Sequence, residues 1–192
     1  MLRFQSDSRI RFVCALCLLS GALLGCKFAG SLNKKSNMFE GTEIQDGVAE
    51  FKKKLDGPIK TLRLEIRTEE MTLEAQDPKN LEHIDAYKYS KGSVSGPTPV
   101  NLARLIVKPL EDNLFKLDDV NLDAVPSLMK AAVERAGVEE GKVTQMELSR
   151  GLILNPPLSM GPPQWNILVE GPRGNASVYA NAKGEILKVQ KR

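Results

Sequence analysis

Between Leu62 and Arg67 the chain alternates without a break: Leu62, Leu64 and Ile66 fall on one side of an extended backbone and Arg63, Glu65 and Arg67 on the other. A period of two over this length predicts a strand, Ile59 to Arg67, with one dry face and one wet face. A strand of that kind requires partners beside it and something apolar laid over its dry side.

The flanking sequence offers both. Thr42 and Gln45 have the spacing of a capping box, and Ile44, Val48, Phe51 and Leu55 then recur on one helical face until Gly57-Pro58 stops the run. After the first strand, Met71 to Ala75 reads as its partner and Ile84 to Tyr89 as a third strand. The turn Ser90-Lys91-Gly92 leads into a fourth, Ser93 to Ser95.

The same order returns in the second half. A helix starting at Asp123 shows Val125, Leu128, Met129, Ala132, Val133 and Ala136 on one face, accepts Pro126 in its first turn and ends at Gly137. Strands are expected at Lys142 to Arg150, Gln164 to Val169, Ala176 to Ala180 and Gly184 to Val189, with Gly151 to Pro163 as a long, stiff loop. Glu65-Ile66 falls on Glu147-Leu148 at one offset. Tyr87, Lys91, Gly92 and Val94 fall on Tyr179, Lys183, Gly184 and Ile186 at a second, longer one.

These observations predict an α+β fold of two tandem units, each one helix followed by an antiparallel β-meander, after a signal peptide and a flexible tether. The expected boundaries are 1–25 for the leader, 26–41 for the tether, 42–97 and 122–192 for the two units, and 98–121 for a bridge that Pro97, Pro99 and Pro109 break into short pieces. Leu114, Phe115 and Leu117 should pack at the junction. The element order and the Tyr and Lys-Gly pairs resemble tandem PepSY-like domains and the beta-lactamase inhibitor protein family, a resemblance that implies binding or inhibition.

The front of the chain carries an address. Arg3, Arg9 and Arg11 precede fourteen uncharged residues, Phe12 to Gly25, the pattern of a secretory signal peptide; Lys27 ends the run before it is long enough to span a bilayer. Leu23-Leu24-Gly25-Cys26 resembles the lipobox of bacterial lipoproteins. That resemblance implies cleavage before Cys26, a diacylglycerol on its thiol and acylation of the new amino terminus. Lys27 in the next position implies outer-membrane sorting, with the folded part facing the periplasm. Cys14 and Cys17 would leave with the leader, so no disulfide is expected. Two or three acyl chains hold a protein on a bilayer where one lets it leave. Lys27, Lys34 and Lys35 in the polar stretch Lys27 to Gly41 fit a solvated linker.

Function is less legible. Lys and Arg exceed Asp and Glu by three over the chain, and much of that excess lies before Cys26, which excludes a nucleic-acid binder built on phosphate neutralisation. His83, the single imidazole, is expected in a hairpin loop; it lacks partners for a metal site or a Ser-His-Asp triad, and no phosphate-loop or dinucleotide fingerprint occurs. Glu69-Glu70, Asp118-Asp119 and Glu139-Glu140 are sequence neighbours that point to different sides of an element, a poor basis for acid/base work. No enzymatic activity, metal or cofactor is therefore expected.

The expected partners are the membrane, through the lipid on Cys26, and another envelope protein. Binding candidates are Trp165, Tyr87, Tyr89 and Tyr179 on strands, together with Leu158 and Met160 in the Pro-rich loop. The reading is a lipid-anchored, non-enzymatic protein-binding module, an inhibitor or envelope assembly factor. Its alternative is a carrier that encloses a small apolar ligand or lipid between its sheets.

Overall fold

The computed structural model describes residues 37–105 and 107–191. The leader, Cys26 with its expected lipid, most of the tether and Arg192 lie outside the described residues.

The first helix, α1, runs Glu43–Leu55. Thr42 precedes it as the sequence suggests, but no capping box forms: the Thr42 hydroxyl donates instead to the Asp46 carboxylate at 2.8 Å. At the other end Asp56 turns left-handed, with φ of 45°, and its N–H donates to the Lys52 carbonyl. Four strands follow: β1 (Lys60–Arg67), β2 (Met71–Asp77), β3 (Asn80–Ser90) and β4 (Ser93–Pro99). The bridge contains short 3-10 turns and one two-residue strand, β5 (Phe115–Lys116). It leads to α2 (Val125–Ala136), which Gly137 closes in the left-handed region. Then come β6 (Lys142–Ile153), β7 (Ser159–Gly171), β8 (Gly174–Asn181) and β9 (Ile186–Lys191).

The expectation of two tandem helix-meander units is overturned by the pairing between halves. All nine strands belong to one antiparallel sheet in the order β4-β3-β2-β1-β6-β7-β8-β9, with β5 beside the start of β1. The joint is the β1–β6 ladder, in which Leu64 faces Leu148, Glu65 faces Glu147 and Ile66 faces Met146. Because directly opposed residues share a face, one row of side chains runs unbroken across eight strands: Val94, Tyr89, Met71, Ile66, Met146, Ile167, Val178 and Val189. A second row carries Tyr87, Leu73, Leu64, Leu148, Trp165, Ala180 and Ile186.

Both rows belong to one hydrophobic cluster that also takes in Phe51 from α1, Phe115 and Leu117 from the bridge, and Leu128 and Ala132 from α2. A single core therefore serves the entire described chain. The repeat offsets fail in geometry as well. Tyr87 is buried in the core, whereas Tyr179 pairs with Asn166 and Lys188 on the opposite face of the sheet. The Lys91-Gly92 turn has two positive φ angles, while at Lys183-Gly184 only the glycine does.

Close approach of α1 depends on one residue without a side chain. A Cβ on Gly47 would collide with the Met71 methyl and the Tyr89 ring, and the contact it permits brings Phe51 edge-on to Tyr89, with ring centroids 6.5 Å apart. In the bridge, buried Asn113 donates its side-chain amide to the carbonyls of Val107, Pro109 and Leu110, supplying the order that the prolines deny to a ladder. Leu114, Phe115 and Leu117 are buried there, as their positions in the sequence suggest.

Candidate functional site

Once the helices cover one face of the sheet, what remains is the other face, the sheet's two ends and its two edge strands. The open face is charged and largely self-paired. Arg63 binds Glu74 and lies 3.9 Å from Glu147, Arg67 donates to Glu65 at 2.7 Å, and Gln145 donates to the same Glu65 oxygen at 3.0 Å. Burial works to lower the Arg63 pKa, but the hydrogen bond to Glu74 and the charges of Glu74, Glu147 and Glu65 outweigh it, so the guanidinium is held charged more firmly than usual. Beside this network, Leu62, Arg63, Glu74, Val100, Asn101, Leu102 and Leu105 line a cleft of about 370 Å³. The arrangement fixes carboxylates as acceptors of cations and amides, a structural use of charge.

The ends of the sheet differ from one another. The segment expected to be a stiff loop, Gly151 to Pro163, is mostly strand: β6 and β7 run on past the body of the sheet as a hairpin, with Leu152 opposite Met160 and Ile153 opposite Ser159 after a shift in register near Gly151. Arg150 fastens its base. The guanidinium donates to the carbonyls of Gly161 at 2.7 Å, Leu114 at 3.1 Å and Met160 at 3.2 Å, so one fork holds both arms of the hairpin and the bridge.

Past that clasp the side chains are apolar and open to solvent. Leu152, Ile153, Leu154 and Leu158 are exposed, Leu154 to 73%. The other exposed large aliphatics among the described residues are Leu81, just beyond the β2–β3 turn, and Leu187, in the bulge where β9 leaves the β8–β9 turn. The registers place both turns at the hairpin's end of the sheet. At the opposite end the Met38 N–H donates to the Thr68 carbonyl, and Asn37 lines a cleft with Lys142, the first residue of β6. The first described residues and the hairpin tip lie toward opposite ends of β6, a strand whose twelve residues would span about 36 Å if straight. The body thus has a greasy end and an end where the chain arrives.

The candidate residues divide accordingly. Trp165, Tyr87 and Tyr89 are buried beneath the helices, Trp165 to within 1% of full cover, which corrects their reading as anchors on an open face; an aromatic on an amphipathic strand goes to the drier side. Tyr179 does lie on the open face, with the Lys188 ammonium 6.0 Å from its ring centre. Leu158 stands at the hairpin tip and half-buried Met160 in its arm. Cys26 is outside the described residues. The sequence reading missed Leu152, Ile153, Leu154 and Arg150, although the apolar run of three between Gly151 and Asn155 is visible in the sequence.

His83 lies in the first part of β3, exposed, with its ring nitrogen 3.3 Å from the Asn80 amide; the loop expected there is confined to Pro78 and Lys79. Glu70, Asp118 and Glu139, one from each adjacent acidic pair, make surface ion pairs with Lys88, Lys52 and Arg173.

No known protein family matches the chain, so the PepSY-like resemblance has no support at that level, and no curated protein matches it either. Among solved structures, the chain is similar to a candidate lipoprotein from Clostridium difficile 630, with a TM-score of 0.50 and 16% sequence identity over 82% of this chain and 99% of that one. At that identity the likeness is one of fold.

Proposed function

We propose that this chain is a lipid-anchored cell-envelope protein that binds another protein without catalysis, and that the apolar tip of the β6–β7 hairpin is its contact. The anchor rests on the charged leader, the apolar run and Leu23-Leu24-Gly25-Cys26; the fold shared with a candidate lipoprotein is consistent with it. Placement in the outer membrane, facing the periplasm, rests on Lys27 alone.

The observation that carries the binding role is the clustering of Leu152, Ile153, Leu154 and Leu158 on a strand pair that Arg150 holds rigid. Exposed aliphatics scattered singly need no explanation, but four within one hairpin tip, with Leu152 and Ile153 on opposite faces of the β6 arm, offer apolar surface that a partner would dehydrate. Ten residues lie between Cys26 and Asn37, and the eleven chain steps they make reach at most about 40 Å when extended. A body on such a leash can present its far end to a neighbour in the envelope.

A carrier role has one observation in its favour, the cleft of about 530 Å³ that Phe39, Met129, Val133 and Val143 share with Asn37, Glu40, Lys130 and Lys142. Its mixed lining suits an acyl chain less well than an all-apolar pocket would.

Crosslinking pull-down of the acylated protein from envelope preparations tests both roles. A specific protein captured by the native chain and lost with Leu154→Asp/Leu158→Asp supports the binding module. Co-purifying lipid with no protein dependent on the tip favours the carrier. Metabolic labelling with a palmitate analogue, present in the native chain and absent in Cys26→Ser, tests the anchor separately.

A further inference from the structure

The two edges of the sheet are built differently. The β4 edge, Ser93–Pro99, carries Gly96, Pro97 and Pro99 and a break in register against β3, features that deny a ladder to any incoming strand. The β9 edge, Ile186–Lys191, has neither proline nor glycine, pairs regularly with β8 from Ala176 to Tyr179, and has no neighbour on its other side in the strand order. Its guards are charges. Lys188 lies on the open face beside Tyr179, and Lys191 falls on the helix side with Val189.

From this edge we infer that two copies of the chain pair through β9, antiparallel, about a two-fold axis at Val189. The lysines select that register. An axis at Lys188 or at Lys191 sets ammonium directly against ammonium, which is unfavourable. An axis at Val189 sets Lys188 opposite Gln190 of the second copy and Leu187 opposite its Lys191, so no like charges among 187–191 meet. Val189 is half-buried at the margin of the core, and pairing with its own counterpart would complete its cover. Two-fold pairing of identical edges is self-complementary and closed, so the lysines prevent open-ended stacking while allowing one dimer.

The register makes a sharp test possible, because Gln190 is exposed and its replacement does not touch the core. Opposed residues of an antiparallel pair have Cα atoms about 4.5 to 5.5 Å apart, within disulfide reach, and no described residue is a cysteine. The full-length Val189→Cys chain, oxidised in envelope preparations, should give a disulfide-linked dimer on a non-reducing gel. Adding Gln190→Lys, which creates two symmetry-related lysine oppositions, should reduce that dimer roughly ten-fold, and adding Gln190→Glu should increase it. Sedimentation of the Gln190→Lys and Gln190→Glu chains without the cysteine should show the same order of self-association. A Val189→Cys chain that stays monomeric, or a dimer indifferent to the charge at position 190, would overturn the inference.

Discussion

The guanidinium of Arg150 donates to the carbonyl of Leu114 at 3.1 Å, joining residues 36 positions apart. Since the same group also holds Gly161 and Met160, the hairpin and the bridge share a clasp. Arg150→Met should cost about 2 kcal/mol in urea unfolding and open the hairpin to proteolysis. Arg150→Lys should recover little, because an ammonium lacks the planar fork that reaches three carbonyls at once.

Acid should loosen the bridge. Glu111 accepts hydrogen bonds from Gln76 at 2.9 Å and from Lys60, and these partners pull its pKa below the usual glutamate range. A group whose folded pKa is depressed contributes stability above its unfolded pKa, and that contribution disappears as pH falls through the folded value. Between roughly pH 5 and pH 3 the native chain should therefore lose more stability than Glu111→Gln. The pair is half exposed, so the difference should be small and should shrink further in high salt. Parallel thermal melts of both proteins across that range, at two salt concentrations, check the sign.

Two glycines three residues apart should respond unequally to alanine. A Cβ on Gly171 would run into the Glu139 carbonyl and come within 2.8 Å of a Val138 methyl, whereas one on Gly174 meets nothing within 4 Å. Gly171→Ala should destabilise by about 1–3 kcal/mol, since the obstacle is backbone. Gly174→Ala should leave the denaturation midpoint within experimental scatter.

A charge placed in the core and one placed at the tip should separate stability from binding. Phe115→Asp buries a carboxylate in the bridge and should lower the melting temperature markedly; an unchanged midpoint would contradict the placement of Phe115. Leu154→Asp, at an exposed site, should change stability by no more than about 0.5 kcal/mol while removing tip-dependent capture.

Local periodicity exposed much of this architecture. The alternation of Leu64 to Arg67, the apolar face of α2 and the left-handed stop at Gly137 are all short-range signals, and each appears in the fold. Leu62 departs from the expected dry face, because a shift in register against β2 buries Thr61 in its stead and leaves Leu62 half-buried in the cleft beside Arg63 and Glu74. What joined Leu64 to Leu148 was not legible, because no pattern within either half says which strand will lie beside it. The hairpin was misread for a different reason. Pro162 and Pro163 look like loop residues, yet they sit in β7 beyond Gln164, where the β8 ladder ends and one side of the strand is free. At the hairpin tip, loop chemistry points to Leu158, while Leu152 to Leu154 carry no such signal when the preceding strand is expected to end at Arg150 rather than at Ile153.

The ladder from Arg63 to Arg67 against Gln145 to Ser149 also governs how the molecule comes apart. With the same rows of side chains crossing it, neither half can melt while the other stays native, so heating should give one cooperative transition. A protease nick in the bridge would leave two fragments that migrate as one particle until denaturant parts them.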